Sequence, residues 1–157
     1  MARFKVWKTL VIGGVSPEQL LDRMDKVNGG PVNHWVRAMM MESRQFTTLP
    51  KLKKVCLGRV CLKELGFSER TTTANILARA RDMDGICPPE VGPHLWFALA
   101  AEQQSQDDSF WVAADPMSSW GATGLFGFAN KASLYCDLIS SGRQWLPANK
   151  FVVMLPE

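Results

Sequence analysis

A chain of 157 residues with 46% hydrophobic and 21% charged residues fits one globular domain, 1–157, and excludes a disordered polymer. No apolar run reaches the roughly 18 residues of a membrane span, and the charged start Met-Ala-Arg-Phe-Lys-Val-Trp-Lys lacks a signal-like apolar stretch, so a cytoplasmic protein is expected. The net charge of +3 conceals a split: residues 1–81 carry 15 Lys+Arg against 6 Asp+Glu, a net +9, and residues 82–157 carry 3 against 9, a net −6.

Such asymmetry can offer a basic face to an acidic partner. Alternatively, the two halves neutralise each other across the fold or at a self-association surface.

The chain opens with a strand over 4–12, placing Phe4, Val6, Leu10 and Ile12 on one face. Gly13-Gly14 ends it. Ser16-Pro17-Glu18-Gln19 then announces a helix: Ser16 caps, Pro17 suits the first helical position and Gln19 completes a capping box. Its buried stripe is Leu20, Leu21, Met24 and Val27, and Asn28-Gly29-Gly30-Pro31 stops it. A second helix follows Asn33 as cap and runs to about Ser43, with Trp35, Val36, Met39 and Met40 at helical spacing and His34 exposed. Residues 46–50 connect it to a basic cluster, Lys51, Lys53 and Lys54. A second strand covers 55–62, with a bulge expected at Gly58. After the Leu65-Gly66-Phe67 turn, Thr71, Thr72 and Thr73 offer caps for a third helix ending near Asp84, with Ile76, Leu77, Ala80 and Met83 inward and Arg70, Arg79 and Arg81 on or beside it.

The stretch 86–101 organises the rest. Pro88, Pro89 and Pro93 fix φ and restrict their predecessors, and Gly92 is free to take positive φ, so residues 87–93 read as a stiff, non-helical loop. From His94 the apolar run Leu95, Trp96, Phe97, Leu99 reads as a buried strand. A C-terminal meander completes the chain. Segment 110–115 follows a polar loop at 102–109, segments 125–129 and 133–139 flank Asn130-Lys131, and the last strand is 151–155. The expected fold is α+β, with about three helices from the N-terminal half packed on a mainly antiparallel sheet.

Of the cysteines, Cys56 and Cys61 point to opposite faces of one strand, and only His34 and His94 add soft ligands. No metal site is expected, and Cys56, Cys61, Cys87 and Cys136 read as free thiols, mostly buried.

Several of these residues recur together elsewhere. The chain resembles a family of small bacterial proteins without an established activity, through Trp7-Lys8-Thr9 in the first strand, Trp35 opening the second helix, Leu65-Gly66-Phe67, the loop Cys-Pro-Pro-Glu-Val-Gly-Pro at 87–93, the corner Ala114-Asp115-Pro116-Met117, and Trp145-Leu146-Pro147. The loop is the most specific of these. The family-like strand after it carries Gln and Arg where this chain has His94 and Trp96. Proteins of this size and kind also resemble cargo of mobile genetic elements.

For chemistry, Glu90, His94 and Asp115 are the acid/base candidates beside the rigid segment, and Glu90 is the general acid/base of a hydrolase reading. No Gly-x-Ser-x-Gly, phosphate-binding Gly-rich loop or His-Glu-x-x-His accompanies them, so no cofactor is expected and the reading leans away from an enzyme. Glu90 equally reads as a loop cap that accepts backbone N–H groups. The leading expectation is non-catalytic binding of a small molecule or protein. Glu90, His94, Trp96 and Trp111, with Phe126, would line an aromatic cleft beside 87–93. Nucleic-acid binding through Lys51, Lys53, Lys54, Arg70, Arg79 and Arg81 is the other alternative, although no helix-turn-helix or RNA-binding motif is present.

Overall fold

The computed structural model describes residues 4–102, 109–129 and 133–156. The expected polar loop after Glu102 and the turn at Asn130-Lys131 fall largely outside them. In chain order the elements are β1 (Lys8–Ile12), α1 (Pro17–Asn28), α2 (His34–Glu42), β2 (Lys53–Cys61), β3 (Thr71–Thr72), α3 (Thr73–Asp82), α4 (Val91–Glu102), β4 (Phe110–Val112), β5 (Met117–Ser119), β6 (Ala122–Ala129), β7 (Ser133–Leu138), β8 (Gln144–Trp145) and β9 (Lys150–Leu155). The fold is α+β around a seven-stranded, mostly antiparallel sheet of order β1-β2-β9-β4-β6-β5, with β7 on the other side of β6. β3 and β8 make a separate two-stranded ladder.

The N-terminal helices form as their end signals dictate. Ser16 Oγ accepts the Gln19 N–H while the Gln19 side chain accepts the Ser16 N–H, a complete capping box, and Gly29 ends α1 in the left-handed conformation. Asn33 caps α2 by accepting the N–H groups of Trp35 and Val36. Thr72 caps α3 through the Asn75 N–H. Leu20, Leu21 and Met24 are buried as read, but Val27 is exposed, and so is Val6 ahead of β1.

Side chains alternate across the sheet and make two cores. Val55, Leu57, Phe110, Val112, Phe126, Phe128 and Val152 face one core, covered by α1, α2 and α4. Val60, Trp111, Ala113, Leu125, Phe151, Val153 and Leu155 face the other, covered by α3 and Trp145. The helices therefore number four among the described residues and lie on both faces of the sheet.

Larger sequence expectations also need correction. The first concerns 94–101, which is helix and not strand: α4 starts at Val91, inside the proline-rich stretch. Val91 N–H donates to Pro88 O and Gly92 N–H to Pro89 O, so the prolines wind a turn that feeds the helix. Pro93 sits in the first helical turn, where a backbone N–H would lack an intrahelical acceptor anyway. The outer face of α4 is apolar as well, through Trp96, Ala98, Ala100 and Ala101, so the helix shows no polar stripe and its apolar run is indistinguishable from a buried strand by periodicity.

Second, the C-terminal strands do not form a simple meander. β9 lies between β2 and β4, antiparallel to the first and parallel to the second. Phe151, Val152 and Val153 are all buried, and a strand with both faces apolar is satisfied only inside a sheet covered on both sides. The local hairpin of β6 and β7 is present as read. Third, the ladder through Gly58 is unbroken, so there is no bulge; a side chain there would press on Leu155.

Gly92 also does a different job from the one read. It is not among the residues with positive φ. A Cβ at this position would stand 2.6 Å from Phe126 Cδ2 and 2.9 Å from Cγ, so the missing side chain lets α4 lie directly on β6. Gly92→Ala is expected to lower stability by about 1–3 kcal/mol, the usual cost of overpacking a filled core, measured by urea unfolding with an unchanged m-value.

Candidate functional site

Glu90 lies at the joint where the proline turn becomes α4, and its side chain is fully buried. Oε1 accepts the Leu49 N–H at 2.7 Å. Oε2 accepts the Gly13 N–H at 3.2 Å and stands 3.2 Å from His94 Nε2, one helical turn on. Gly13 has φ +88°, and a Cβ there would collide with Lys51 O at 2.1 Å, so only glycine lets the chain pass between this carboxylate and the 49–51 connector. The Gly14 N–H donates to Leu49 O beside it. Glu90 thus fastens three segments: the end of β1, the approach to β2 and the start of α4. Both oxygens are engaged and solvent does not reach them. The carboxylate acts as a buried cap for otherwise unsatisfied backbone donors.

The other predicted site residues disperse. His94 is largely buried behind Glu90. Trp96 is half-buried on α4, tilted against Phe97 at 5.2 Å, and packs on the first core. Trp111 belongs to the second core, on the opposite face of the sheet. Its indole N–H donates to Asp137 Oδ2 at 2.9 Å, and Arg143 grips both oxygens of Asp137 at 3.2 Å while stacking 4.1 Å from the Trp145 ring. Burial, then the Asp137 charge, pushes the neighbouring Tyr135 hydroxyl above its ordinary pKa. These groups satisfy one another. Phe126 is buried under Gly92. The aromatic cleft expected beside 87–93 therefore does not assemble. Asp115 is exposed and pairs with Arg81 of α3.

Lys51, Lys53, Lys54 and Arg70 are exposed, but Arg79 donates to Leu65 O at 3.0 Å and Arg81 is taken by Asp115. The basic candidates thus split into a lysine group at the start of β2 and arginines already engaged on α3.

The cysteines are all free. Burial pushes the Cys87 thiol far up, and burial with the Asp137 charge pushes Cys136 up to about 12. Neither is an activated nucleophile. Alkylation with iodoacetamide at mildly alkaline pH is expected to modify the half-exposed Cys56 and Cys61 first, with Cys87 and Cys136 reacting only on unfolding; peptide mass mapping reads the order. Among the described residues, no three His, Cys, Asp or Glu side chains converge as metal ligands, and no helix is long and apolar enough to cross a membrane.

An open groove of about 490 Å³ lies elsewhere, between the C-terminal end of α2 and the β5–β6 hairpin. It is lined by Glu42, Arg44, Gln45, Ser118, Ser119 and Trp120. Ser119 pairs with Ala122, so Trp120 and Gly121 form a two-residue turn, with φ +52° and +77°. That is the type I′ arrangement, in which Asn or Gly is the ordinary occupant of the first position. Trp120 is 83% exposed. Its indole N–H and the Ser119 hydroxyl both donate to Glu42 Oε2. Ser43, buried at the end of α2, and Gln45 Oε1 accept the Ser118 N–H, which locks the hairpin to the helix.

Trp120 belongs to no catalytic or binding motif, and the sequence alone assigns it no role. The available signal was a bulky aromatic directly before glycine in a hairpin, where turn chemistry selects small polar residues.

No protein-family profile matches this chain, and no curated protein or solved structure matches it either.

Proposed function

We propose that the chain is a non-catalytic binding domain whose recognition surface is the groove at Trp120. One observation carries the reading: a tryptophan 83% exposed to solvent sits at positive φ on a two-residue turn, beside a carboxylate and a guanidinium. Backbone strain of roughly 1–3 kcal/mol for a bulky residue persists where the surroundings enforce it, and such sites cluster at ligand-contacting positions. A hydrolase built on Glu90 has the opposite support, because no substrate atom could approach a sealed carboxylate.

Amide chemical-shift mapping tests the reading, with a panel of soluble glycans, nucleotides and tetramethylammonium. Shifts confined to 42–45 and 118–121 support it. Shifts confined to 94–96 or 51–54, or none at all, remove it.

A second reading, nucleic-acid binding, has one favourable observation: Lys51, Lys53 and Lys54 are exposed together where β2 begins. Retention on heparin that collapses at moderate salt, and is lost when these lysines become glutamine, would support it.

A further inference from the structure

We infer that the groove binds a polyhydroxylated ring, a pyranose unit of a glycan, stacked on the Trp120 indole. The inference rests on the groove being the binding surface proposed above, and it follows from which polar atoms remain unspent.

Both hydrogen bonds to Glu42 go to Oε2, leaving Oε1 without a partner among the described residues. Gln45 Oε1 accepts the Ser118 N–H and the Ser43 hydroxyl, so the part of this amide left for a ligand is its NH₂, a donor. The Arg44 guanidinium has no ion pair or hydrogen bond among the described residues. The groove therefore shows an acceptor-only carboxylate oxygen beside two donor-only groups, next to an exposed apolar ring.

A sugar hydroxyl both donates and accepts, so adjacent hydroxyls on one ring satisfy Glu42, Gln45 and Arg44 together. The C–H face of the ring is apolar and suits an indole, whose body is apolar and whose polar N–H is already bonded to Glu42.

Charge separates this ligand from its rivals. Glu42 and Arg44 cancel within the groove. A phosphate-rich strand needs a surplus of cations, which the groove lacks. A quaternary ammonium would gain the indole face and Glu42 but meet the Arg44 charge. A neutral polyol pays neither penalty. The groove, about 490 Å³ and open to solvent, has room for a single ring with its other face in water.

The turn makes a clean variant available. Asn is favoured at the first position of a type I′ turn, so Trp120→Asn relieves the backbone while deleting the stacking surface. The ¹⁵N-labelled protein is titrated with maltotriose, mannotriose, lactose and triacetylchitotriose to about 10 mM, enough to fill most of a site of millimolar affinity.

The expected result is that at least one glycan moves the amides of 42–45 and 118–121. Trp120→Asn then weakens that glycan tenfold or more while melting at or above the parent temperature, and Gln45→Ala weakens it less. If glycan binding survives Trp120→Asn unchanged, the inference is overturned. If tetramethylammonium or AMP moves these amides and no glycan does, the glycan is overturned and the groove stands as a binding surface. If no probe moves them, the glycan and the groove both fall.

Discussion

Glu90→Gln is expected to lower the melting temperature by about 4–12 °C. An unsatisfied buried donor costs about 2–3 kcal/mol, and each kcal/mol lowers melting by about 2–4 °C in a chain of this length. The amide keeps the shape of the carboxylate, so no cavity opens. One oxygen becomes an NH₂, however, and that donor must face the N–H of Gly13 or of Leu49. Two donors then meet with no water to separate them. Glu90→Ala is expected to cost more, about 3–5 kcal/mol, because all three partners of the carboxylate lose it. Differential scanning calorimetry reads both variants. The result decides between two roles: a catalytic carboxylate would leave melting unchanged on substitution by Gln, whereas a structural fastener cannot. The fastener also predicts where the damage appears. Hydrogen exchange should rise at Gly13, Leu49 and His94 together, because one side chain holds all three segments.

Trp145→Ala should be at least as damaging, about 3–5 kcal/mol and on the order of 10 °C in melting temperature. Trp145 is 1% exposed. Its ring meets Trp111 at 4.8 Å and Phe151 at 4.9 Å, both edge-on, and carries the Arg143 guanidinium on its face. Its indole N–H donates to Thr73 Oγ1 at 2.7 Å, at the start of α3. The residue therefore joins the small β3–β8 ladder, the third helix and the second core of the main sheet. Trp145→Phe separates packing from hydrogen bonding. It retains most of the apolar contact and should cost about 1–2 kcal/mol, since the Thr73 hydroxyl loses its donor. Combining it with Thr73→Val in a double-mutant cycle should return a coupling near 1 kcal/mol; a coupling near zero would show that the bond contributes nothing beyond packing.

How much of this could be read from residues alone varies along the chain. Ser16 to Gln19 and Asn33 marked their helix starts unaided, and of the three caps offered at 71–73 the structure uses Thr72, because a cap is a contact between residues two or three apart. The hairpin of β6 and β7 was legible for the same reason: its partners are neighbours in sequence. Glu90 was legible as an alternative, since a carboxylate between prolines has few roles besides capping and catalysis. Which role it plays turned on Gly13 and Leu49, which stand 77 and 41 residues away.

Local chemistry therefore determined the starts of the first three helices and the β6–β7 hairpin, because those depend on contacts within a few residues. The tertiary structure decided the rest. It made 91–102 a helix, whose outer face is apolar too, through Trp96, Ala98, Ala100 and Ala101, so that the period by which sequence tells helix from strand is missing. It drew β9 into the middle of the sheet, since only there are both apolar faces of Phe151, Val152 and Val153 covered. It sent Trp96 and Trp111 to opposite cores, and it brought Glu42 and Arg44 to Trp120 across more than 70 residues of chain, a separation that no local pattern records.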